Sequence, residues 1–142
     1  MRSEVCVNRE RTYDATPQAV AAARDFVSAF AVAMLHPRGW SVADDAALVV
    51  SELMTSALEA GCGSVGVRID LHADRLDLQV TGYGVAGDSE ADDRLQGLRG
   101  AVVQQLATRA ELRRTPAGAL VGTAQLPCAT EWTGRVPCSE PG

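Results

Sequence analysis

The sequence predicts an α+β domain, a two-layer sandwich with helices on one face of a mixed, mainly antiparallel sheet. Three observations lead to this prediction. Residues 16–61 place apolar side chains at helical spacing, residues 65–80 alternate apolar and polar side chains, and residues 110–127 alternate again. Helices and strands that follow one another in such runs pack as a helical layer on one sheet. The length of 142 residues favours one domain, whose hydrophobic core is large enough to fold without disulfide bonds or a structural metal ion.

The chain opens with a predicted edge strand over residues 4–13, which are rich in Val, Arg and Thr. The first helix follows, because Thr16 is a good capping residue and Pro17 suits the first helical position. Apolar residues then recur at helical spacing as far as Met34. The breakers in "HPRGW", residues 36–40, end this helix.

A second helix is predicted from Ser41, its capping residue, to about Gly61, with acidic residues in the first turn that favour the helix dipole. The hydrophobic period then changes from helical to alternating. Residues 65–71 and 76–80 place apolar side chains at every second position, and a tight connection at residues 72–74 joins them. The pattern is typical of a β-hairpin with one buried face.

The remaining chain is predicted as a loop, a third helix, a second hairpin and a tail. Residues 83–93 are Gly-rich and acidic, which is typical of a loop. Residues 95–109 are predicted to be helical, and residues 110–127 form a hairpin around "PAG". The domain therefore covers residues 1–127, and residues 128–142 form a loose tail.

The charge and the choice of basic residues exclude several classes of function. The formal net charge is −5, and all 13 basic residues are Arg. Without Lys the chain has neither a Walker A lysine nor a Schiff-base lysine. The negative charge disfavours nucleic acid as a partner but allows a basic protein partner.

The cysteines and histidines give no metal-binding pattern. None of the four cysteines forms a C-x-x-C pair, and the two histidines are far apart in sequence. His72 falls at the predicted hairpin turn, where we expect it to be exposed. No secretion signal and no apolar run of membrane-spanning length is visible in the sequence. We therefore expect a cytoplasmic protein with reduced thiols and no membrane partner.

Four stretches of the sequence, in this order of elements, resemble a known family. They are "TPQAVAAARDFV", "DDAALVVSELMTSALEAG", "LDLQVTGYG" and "TPAGALVGTAQLP". Together they resemble the RsbW-like anti-sigma-factor serine kinases, a branch of the GHKL (histidine-kinase-like) ATPase superfamily, over roughly residues 10–127. The resemblance implies a GHKL or Bergerat-like fold, ATP and magnesium as cofactors, and a role in transcription regulation.

The family's first motif, E-L-x-x-N-A on the second helix, reads "ELMTSA" at residues 52–57. Glu52 matches the residue proposed in the family as the general base, a role that a carboxylate within hydrogen-bond reach can take. Ser56 stands where the family's Asn ligates magnesium. A hydroxyl is a possible oxygen ligand for magnesium but reaches less far than an amide oxygen.

The family's second motif is D-x-G, whose Asp accepts a hydrogen bond from adenine, and here it reads Gly82-Tyr83-Gly84. Gly82 has no side chain to accept that bond. Hydrogen bonds to charged groups contribute about 1.5–3 kcal/mol, so adenine affinity is expected to fall roughly tenfold to a hundredfold. Tyr83 is either a stacking partner for a ring or an exposed turn residue.

The family's third motif is a Gly-rich stretch that holds phosphates at a helix N-terminus, and here it reads "GLRG". Gly97, Arg99 and Gly100 are the candidate phosphate ligands. Arg99 either pairs with a phosphate or is a solvated helix residue. Gly122-Thr123 resembles the family's last strand, which adds Thr123 to the candidate nucleotide-binding residues.

Because all three motifs depart from the family pattern, three hypotheses follow. In the first, the chain is a degenerate relative that binds a sigma factor or an anti-sigma antagonist, with ATP binding weak or lost. In the second, it is an active serine/threonine kinase with Glu52 as the base. In the third, a cleft lined by Glu52, Ser56, Thr81 and Tyr83 binds or transforms a non-nucleotide small molecule, with Glu52 as acid or base. A homodimer is compatible with each hypothesis.

Overall fold

The computed structural model describes residues 7–35, 39–72, 74–85 and 103–127. Within these residues the chain forms two long helices and five strands. Their bounds are Val7–Asp14 for β1, Pro17–Met34 for α1, Gly39–Glu59 for α2, Ser64–Leu71 for β2, Arg75–Tyr83 for β3, Arg109–Arg114 for β4 and Leu120–Pro127 for β5. Residues 103–106 add a short helical turn before β4.

The five strands form one open sheet in the order β1-β2-β3-β5-β4. Each neighbouring pair in this order is antiparallel. The chain therefore inserts β5 between β3 and β4, and β1 and β4 are the edge strands of the described sheet. The predicted α+β architecture is confirmed, and the sheet is antiparallel throughout the strands that the structure describes.

The two faces of the sheet differ in chemistry, because successive side chains of a strand point to opposite sides. One face, the helix face, carries buried apolar side chains from the three central strands. They are Val65, Val67, Ile69, Leu71, Leu76, Leu78, Val80, Leu120, Ala124 and Leu126. The other face, the open face, carries mainly polar side chains, as expected for an antiparallel sheet covered on one side.

Both helices pack on the helix face and complete the core. Val27 and Phe30 of α1 and Val50 and Met54 of α2 belong to the same buried cluster as Ile69 of β2. Each such side chain contributes about 1.5–3 kcal/mol when it is removed from water. This contact between layers is therefore the main source of stability, and it fixes how α2 lies over the sheet.

The helix α1 begins at the predicted residues, but the predicted capping residue makes no side-chain hydrogen bond. Thr16 is the N-cap residue, in an extended conformation, and Pro17 follows at the start of the helix. The Thr16 hydroxyl makes no capping hydrogen bond. None of the helices formed by the described residues is long and apolar enough to cross a membrane.

The start of α2 differs from the prediction, whereas its end agrees. The helix begins at Gly39, so Ser41 lies inside it and is not its cap. It ends two residues before Gly61, whose φ of 88° is a conformation that favours glycine. The Gly61 N–H donates a hydrogen bond to the Leu58 carbonyl at 3.0 Å, which closes the last turn.

The third helix ends earlier than predicted. Residues 103–106 are helical, but Arg109, its predicted last residue, is the first residue of β4. The Thr108 N–H already donates to the Gln125 carbonyl at 2.9 Å, so strand pairing replaces the helix there. The rest of that predicted helix, residues 86–93 of the predicted loop, and the predicted tail lie outside the described residues.

Candidate functional site

Glu52 and Ser56 lie at one edge of the buried stripe of α2. Successive helical residues are rotated by about 100°, so side chains four residues apart point in nearly the same direction. Leu53 and Ala57, on the neighbouring face of the helix, contact the sheet. Ser56 is only 1% exposed, while Glu52 is half-buried. The carboxylate and the hydroxyl thus share a face at the boundary between core and surface, as the spacing predicts.

The Ser56 hydroxyl is buried and makes no hydrogen bond within the described part of the chain. Its neighbour behaves differently, because the Thr55 hydroxyl donates to the Ser51 carbonyl at 2.8 Å. A buried hydroxyl without a partner costs about 1–3 kcal/mol. Ser56 is therefore a polar group that the described core alone does not satisfy.

Gly82 of β3 lies directly under the end of α2. A Cβ atom at this position would lie 3.1 Å from the Cβ atoms of both Ala57 and Cys62, and 3.3 Å from the Cys62 sulfur. These distances are shorter than nine in ten real contacts of a Cβ atom. The place where the resemblance puts an adenine-binding carboxylate is thus tightly packed against side chains of the protein itself, and a larger residue there requires Ala57 and Cys62 to shift.

The structure does not bring Thr81 and Tyr83 to Glu52 and Ser56. They flank Gly82 in β3 and therefore point to the open face, away from the helices. Tyr83 is 46% exposed, and its ring lies 3.6 Å from the position of a Cβ atom on Gly66 in the neighbouring strand. The expected cleft with all four residues in its lining is corrected accordingly, because the period of the strand separates them.

The other candidate residues fall in three places. Gly84 follows β3 with a φ of 72°, so the turn there requires a residue that tolerates the left-handed region. Thr123 of β5 lies opposite Gln79 of β3 and faces the open side of the sheet. Gly97, Arg99 and Gly100, the candidate phosphate ligands, lie outside the described residues.

A cluster of charged side chains at the β2–β3 hairpin had no place in the predicted site. Asp77 accepts a hydrogen bond from Arg75 Nε at 3.0 Å, and its other oxygen lies 3.0 Å from His72 Nε2. Asp70, directly opposite Asp77, accepts a hydrogen bond from Arg68 at 2.9 Å. The arginines thus offset the repulsion between two facing carboxylates.

The prediction that His72 is exposed is wrong, because its side chain is buried and 5% of the residue is accessible. Its Nδ1 atom is buried without a hydrogen-bond partner in the described part of the chain. The alternation of apolar and polar residues along β2 and β3 could have predicted that Asp70 and Asp77 lie opposite each other. The burial of His72 depends on tertiary packing and has no counterpart in the local sequence.

The open face holds a shallow groove of about 430 Å³. Polar side chains of β2, β3, β5 and β4 line it. They are Asp70, Asp77, Gln79, Thr123, Gln125, Arg109 and Glu111. The groove therefore lies on the opposite side of the sheet from Glu52, and the two cannot form one site.

The described residues contain no group of three or more His, Cys, Asp or Glu side chains placed to hold a metal ion. Cys62 is a free, buried thiol, and burial raises its pKa, so it is poorly suited to act as a nucleophile. Neither the protein-family models nor the curated proteins include a match to this chain. The function is therefore inferred from the residues and their geometry.

Proposed function

We propose that this chain is a regulatory protein with a histidine-kinase-like ATPase fold that acts by binding another protein, in the manner of an anti-sigma factor, without relying on ATP. The observation that carries the proposal is the tight packing around Gly82. The resemblance supplies the partner class, a sigma factor or an anti-sigma antagonist. Its cytoplasmic setting is part of the same proposal.

The residues present do not fit an adenine base held as in the family. Gly82 offers no acceptor for the adenine amino group, and a side chain at this position would meet Ala57 and Cys62 at 3.1 Å from its Cβ atom. The hydrogen bond that is lost contributes about 1.5–3 kcal/mol in other proteins. An Asp at this position requires Ala57 and Cys62 to shift by a few tenths of an ångström, so a single reversion is not expected to recover binding.

The fit to magnesium is also poor. Ser56 replaces an amide oxygen by a shorter hydroxyl, and that hydroxyl lies in a site that is 1% exposed. The described residues near it do not form a group of acidic or histidine ligands. Magnesium keeps near-ideal octahedral geometry with oxygen ligands, which a short buried hydroxyl serves badly.

Protein binding is the activity that survives the loss of the nucleotide. The described helices and strands share one buried apolar cluster, and the net charge of −5 favours a partner with a basic surface. Regulation by such a protein depends on the exposed surface that binds the partner, and it requires no reaction catalysed by Glu52.

Isothermal titration with Mg-ATP tests the loss of the nucleotide. We expect no heat of binding at micromolar protein and ligand, and the same result for the Gly82→Asp variant. Micromolar affinity in the wild-type protein would contradict the proposal. The Gly63→Asp variant is a matched control for folding, because a Cβ atom at Gly63 meets nothing within 4 Å.

Titration of the purified sigma factors and anti-sigma antagonists of the source organism tests the partner. We expect one of them to form a complex by size-exclusion chromatography, with equal affinity in the presence and absence of Mg-ATP. If none of them binds, or if binding requires ATP, the proposed mode of regulation is excluded.

A second candidate function, a pocket for a small molecule other than a nucleotide, is favoured by Ser56 alone. Its buried hydroxyl lacks a partner in the described core, and a ligand beside the Glu52 carboxylate would supply one. A thermal-shift screen of small metabolites tests this candidate. We expect any true ligand to raise the Tm of the wild-type protein but not that of Ser56→Ala, whereas an equal response in both proteins would exclude the site.

A further inference from the structure

The outer edge of β1 carries backbone groups that face away from the sheet. Among the described strands, β1 pairs with β2 alone. In an antiparallel pair, alternate residues direct their N–H and C=O groups to the partner strand, and the residues between them direct these groups away from it. The Ala15 N–H donates to the Gly63 carbonyl at 3.3 Å, so the odd-numbered residues of β1 face β2 in the same way. The residues that direct their backbone groups outward are therefore Asn8, Glu10, Thr12 and Asp14.

The carbonyl groups near the two ends of β1 agree with this assignment. The Asp14 carbonyl accepts a hydrogen bond from the Thr16 N–H at 2.9 Å, and the Asn8 carbonyl accepts one from the guanidinium of the next residue at 2.8 Å. Between them, Glu10 and Thr12 are exposed, and their outward N–H and C=O groups have no strand partner in the described part of the chain. The middle of the edge is thus open for strand pairing.

The side chains along this edge are separated by charge. Arg9 and Arg11 lie opposite two residues of the helix face, Ile69 and Val67, so both arginines project on the side of the helices. Glu10 lies between them and projects on the open face. The chain has 18 acidic residues, yet neither arginine lies within ion-pair distance of a carboxylate in the part that the structure describes. The helix side of the edge therefore carries positive charge that is not neutralised.

The Arg11 guanidinium is held in place by α1. It lies 5.1 Å from the centroid of the Phe26 ring, a cation–π contact that keeps it above the boundary between β1 and α1 while the residue stays exposed. Side chains two residues apart on a strand are separated by about 6.6 Å, which is also the separation of alternate side chains in any strand added beside it. The two arginines are therefore spaced to meet two alternate residues of another strand.

We propose that the outer edge of β1 binds an extended segment of another protein as an additional strand, with acidic side chains at the two positions opposite Arg9 and Arg11. Pairing with the backbone of Glu10 and Thr12 supplies main-chain hydrogen bonds, and the alternate side chains supply specificity. Carboxylates opposite the arginines form charge-assisted hydrogen bonds with them. The inference does not depend on the loss of ATP binding or on the partner class proposed above.

A second copy of β1 fits this edge poorly. Residues directly opposite each other in an antiparallel pair share a face, so pairing about the middle of the strand places arginine opposite arginine. Like charges in this arrangement oppose edge-to-edge association of identical chains. The same charges favour an acidic strand, even though the net charge of the whole chain is −5.

Two synthetic peptides test the acidic preference by fluorescence anisotropy. The probe is Val-Thr-Glu-Thr-Glu-Thr-Val, which reads the same in both directions and so offers alternate acids in parallel and antiparallel pairing. The matched control is Val-Thr-Lys-Thr-Lys-Thr-Val, which the net charge of the chain favours at long range. We expect the Glu peptide to bind at least about tenfold more tightly, since only it places opposite charges beside the arginines. Equal binding, or tighter binding of the Lys peptide, overturns the proposal.

Charge reversal locates the binding site. The Arg9→Glu/Arg11→Glu double variant should exchange the preference and bind the Lys peptide more tightly than the Glu peptide. Arg24→Glu is the control, an equal reversal at an exposed position of α1, rotated about 200° from Phe26 around the helix and thus away from β1. It should leave the preference for the Glu peptide unchanged. A double variant that still prefers the Glu peptide contradicts the assignment to β1.

Backbone pairing is tested separately from charge. Thr12→Pro removes an outward N–H group, which an edge strand tolerates without loss of its inner ladder, and should weaken the Glu peptide at least about tenfold. Circular dichroism checks that this variant is folded. In the wild-type protein the Glu peptide should also slow amide exchange at Glu10 and Thr12, measured by NMR. Unchanged exchange excludes strand addition. Protection of these amides that rises with protein concentration in the absence of peptide would assign the edge to a second copy and overturn the proposal.

Discussion

Ser56 and Thr55 are adjacent residues on α2, and their hydroxyl groups differ in hydrogen bonding. Thr55 is half-buried, and its hydroxyl donates a hydrogen bond to the Ser51 carbonyl, one turn earlier, at 2.8 Å. Ser56 is almost fully buried and has no partner among the described residues. The unsatisfied hydroxyl costs stability, so its presence indicates a constraint other than the packing of the described core.

We predict that Ser56→Ala stabilises the protein by about 1 kcal/mol, because it removes a buried hydroxyl that has no partner. Ser51→Ala on the same helix is the control, since it reports the gain from helix propensity alone, which is about 0.5 kcal/mol. Urea denaturation of both variants measures the difference. If Ser56→Ala is the less stable of the two, the hydroxyl has a partner and the second candidate function loses its support.

A buried thiol, Cys62, and a half-buried phenol, Tyr13, couple stability to alkaline pH. Burial raises the pKa of the Cys62 thiol above its ordinary value of 9.0 and that of the Tyr13 phenol above 10.0. The folded protein therefore holds both protons more tightly than the unfolded chain does. Their contribution to stability is fully present below the ordinary pKa values and is lost as pH rises through the folded-state values.

We accordingly predict that the midpoint of urea unfolding falls as pH rises from 8 to 11, with the ordinary pKa of the thiol at 9.0 as the lower limit of the decline. Cys62→Ala and Tyr13→Phe should each have a smaller decline than the wild-type protein, measured by fluorescence or circular dichroism at each pH. An identical pH dependence in all three proteins would show that other groups control the alkaline loss of stability.

At the scale of the elements, the position of α2 depends on two glycines of the helix face. Gly82 of β3 lies under Ala57, and Gly122 of β5 lies under Leu53. A Cβ atom on Gly122 would lie 2.9 Å from the Leu53 Cδ2 atom. Because neither strand carries a side chain there, the helix approaches the backbone of the sheet closely at both positions.

We predict that Gly82→Ala destabilises the protein by about 1–3 kcal/mol, the usual cost of overpacking a core. The neighbours of the added methyl group are the Cβ atoms of Ala57 and Cys62, which no side-chain rotation can move. Gly122→Ala should cost less, because its close neighbour is the flexible end of Leu53. Gly63→Ala, which meets nothing within 4 Å, is the control, and chemical denaturation measures all three. Equal stabilities at positions 82 and 63 would contradict the tight contact.

The elements also show how far local pattern predicts structure. Alternation predicts the β2–β3 hairpin, and the left-handed Gly61 marks the end of α2. Ser41 is a good capping residue in sequence, yet α2 begins at Gly39, before it. Helix propensity similarly extends the third helix to Arg109, whereas that residue pairs with β5. In both cases the error is at an element's end, where a few residues have competing partners.

For the molecule as a whole, the sheet order decides which strands are protected. Among the described strands, β2, β3 and β5 have neighbours on both sides, while β1 and β4 each have one. A central strand directs its N–H groups to two neighbours, whereas an edge strand leaves alternate groups to solvent. The most stable part of the molecule should therefore be the central three strands under α2.

We predict that amide hydrogen exchange is slowest in β2, β3 and β5 and clearly faster in β1 and β4, measured by mass spectrometry or NMR. The comparison is made at a low protein concentration, so that only the order of the strands within one chain affects the rates. Protection of β4 equal to that of β3 would contradict the edge position of β4.

The sequence by itself determined the class of fold, the two hairpins and the shared face of Glu52 and Ser56, because these follow from hydrophobic periods of two and 3.6 residues. The same alternation, applied strictly, places Thr81 and Tyr83 on the side of β3 opposite to Gly82, so that part of the site was predictable but misassigned. Only the tertiary structure decided the insertion of β5 beside β3, the burial of His72 and the contact of Gly82 with Ala57 and Cys62. Those features join residues far apart in the chain, and local spacing carries no information about distances between separate elements.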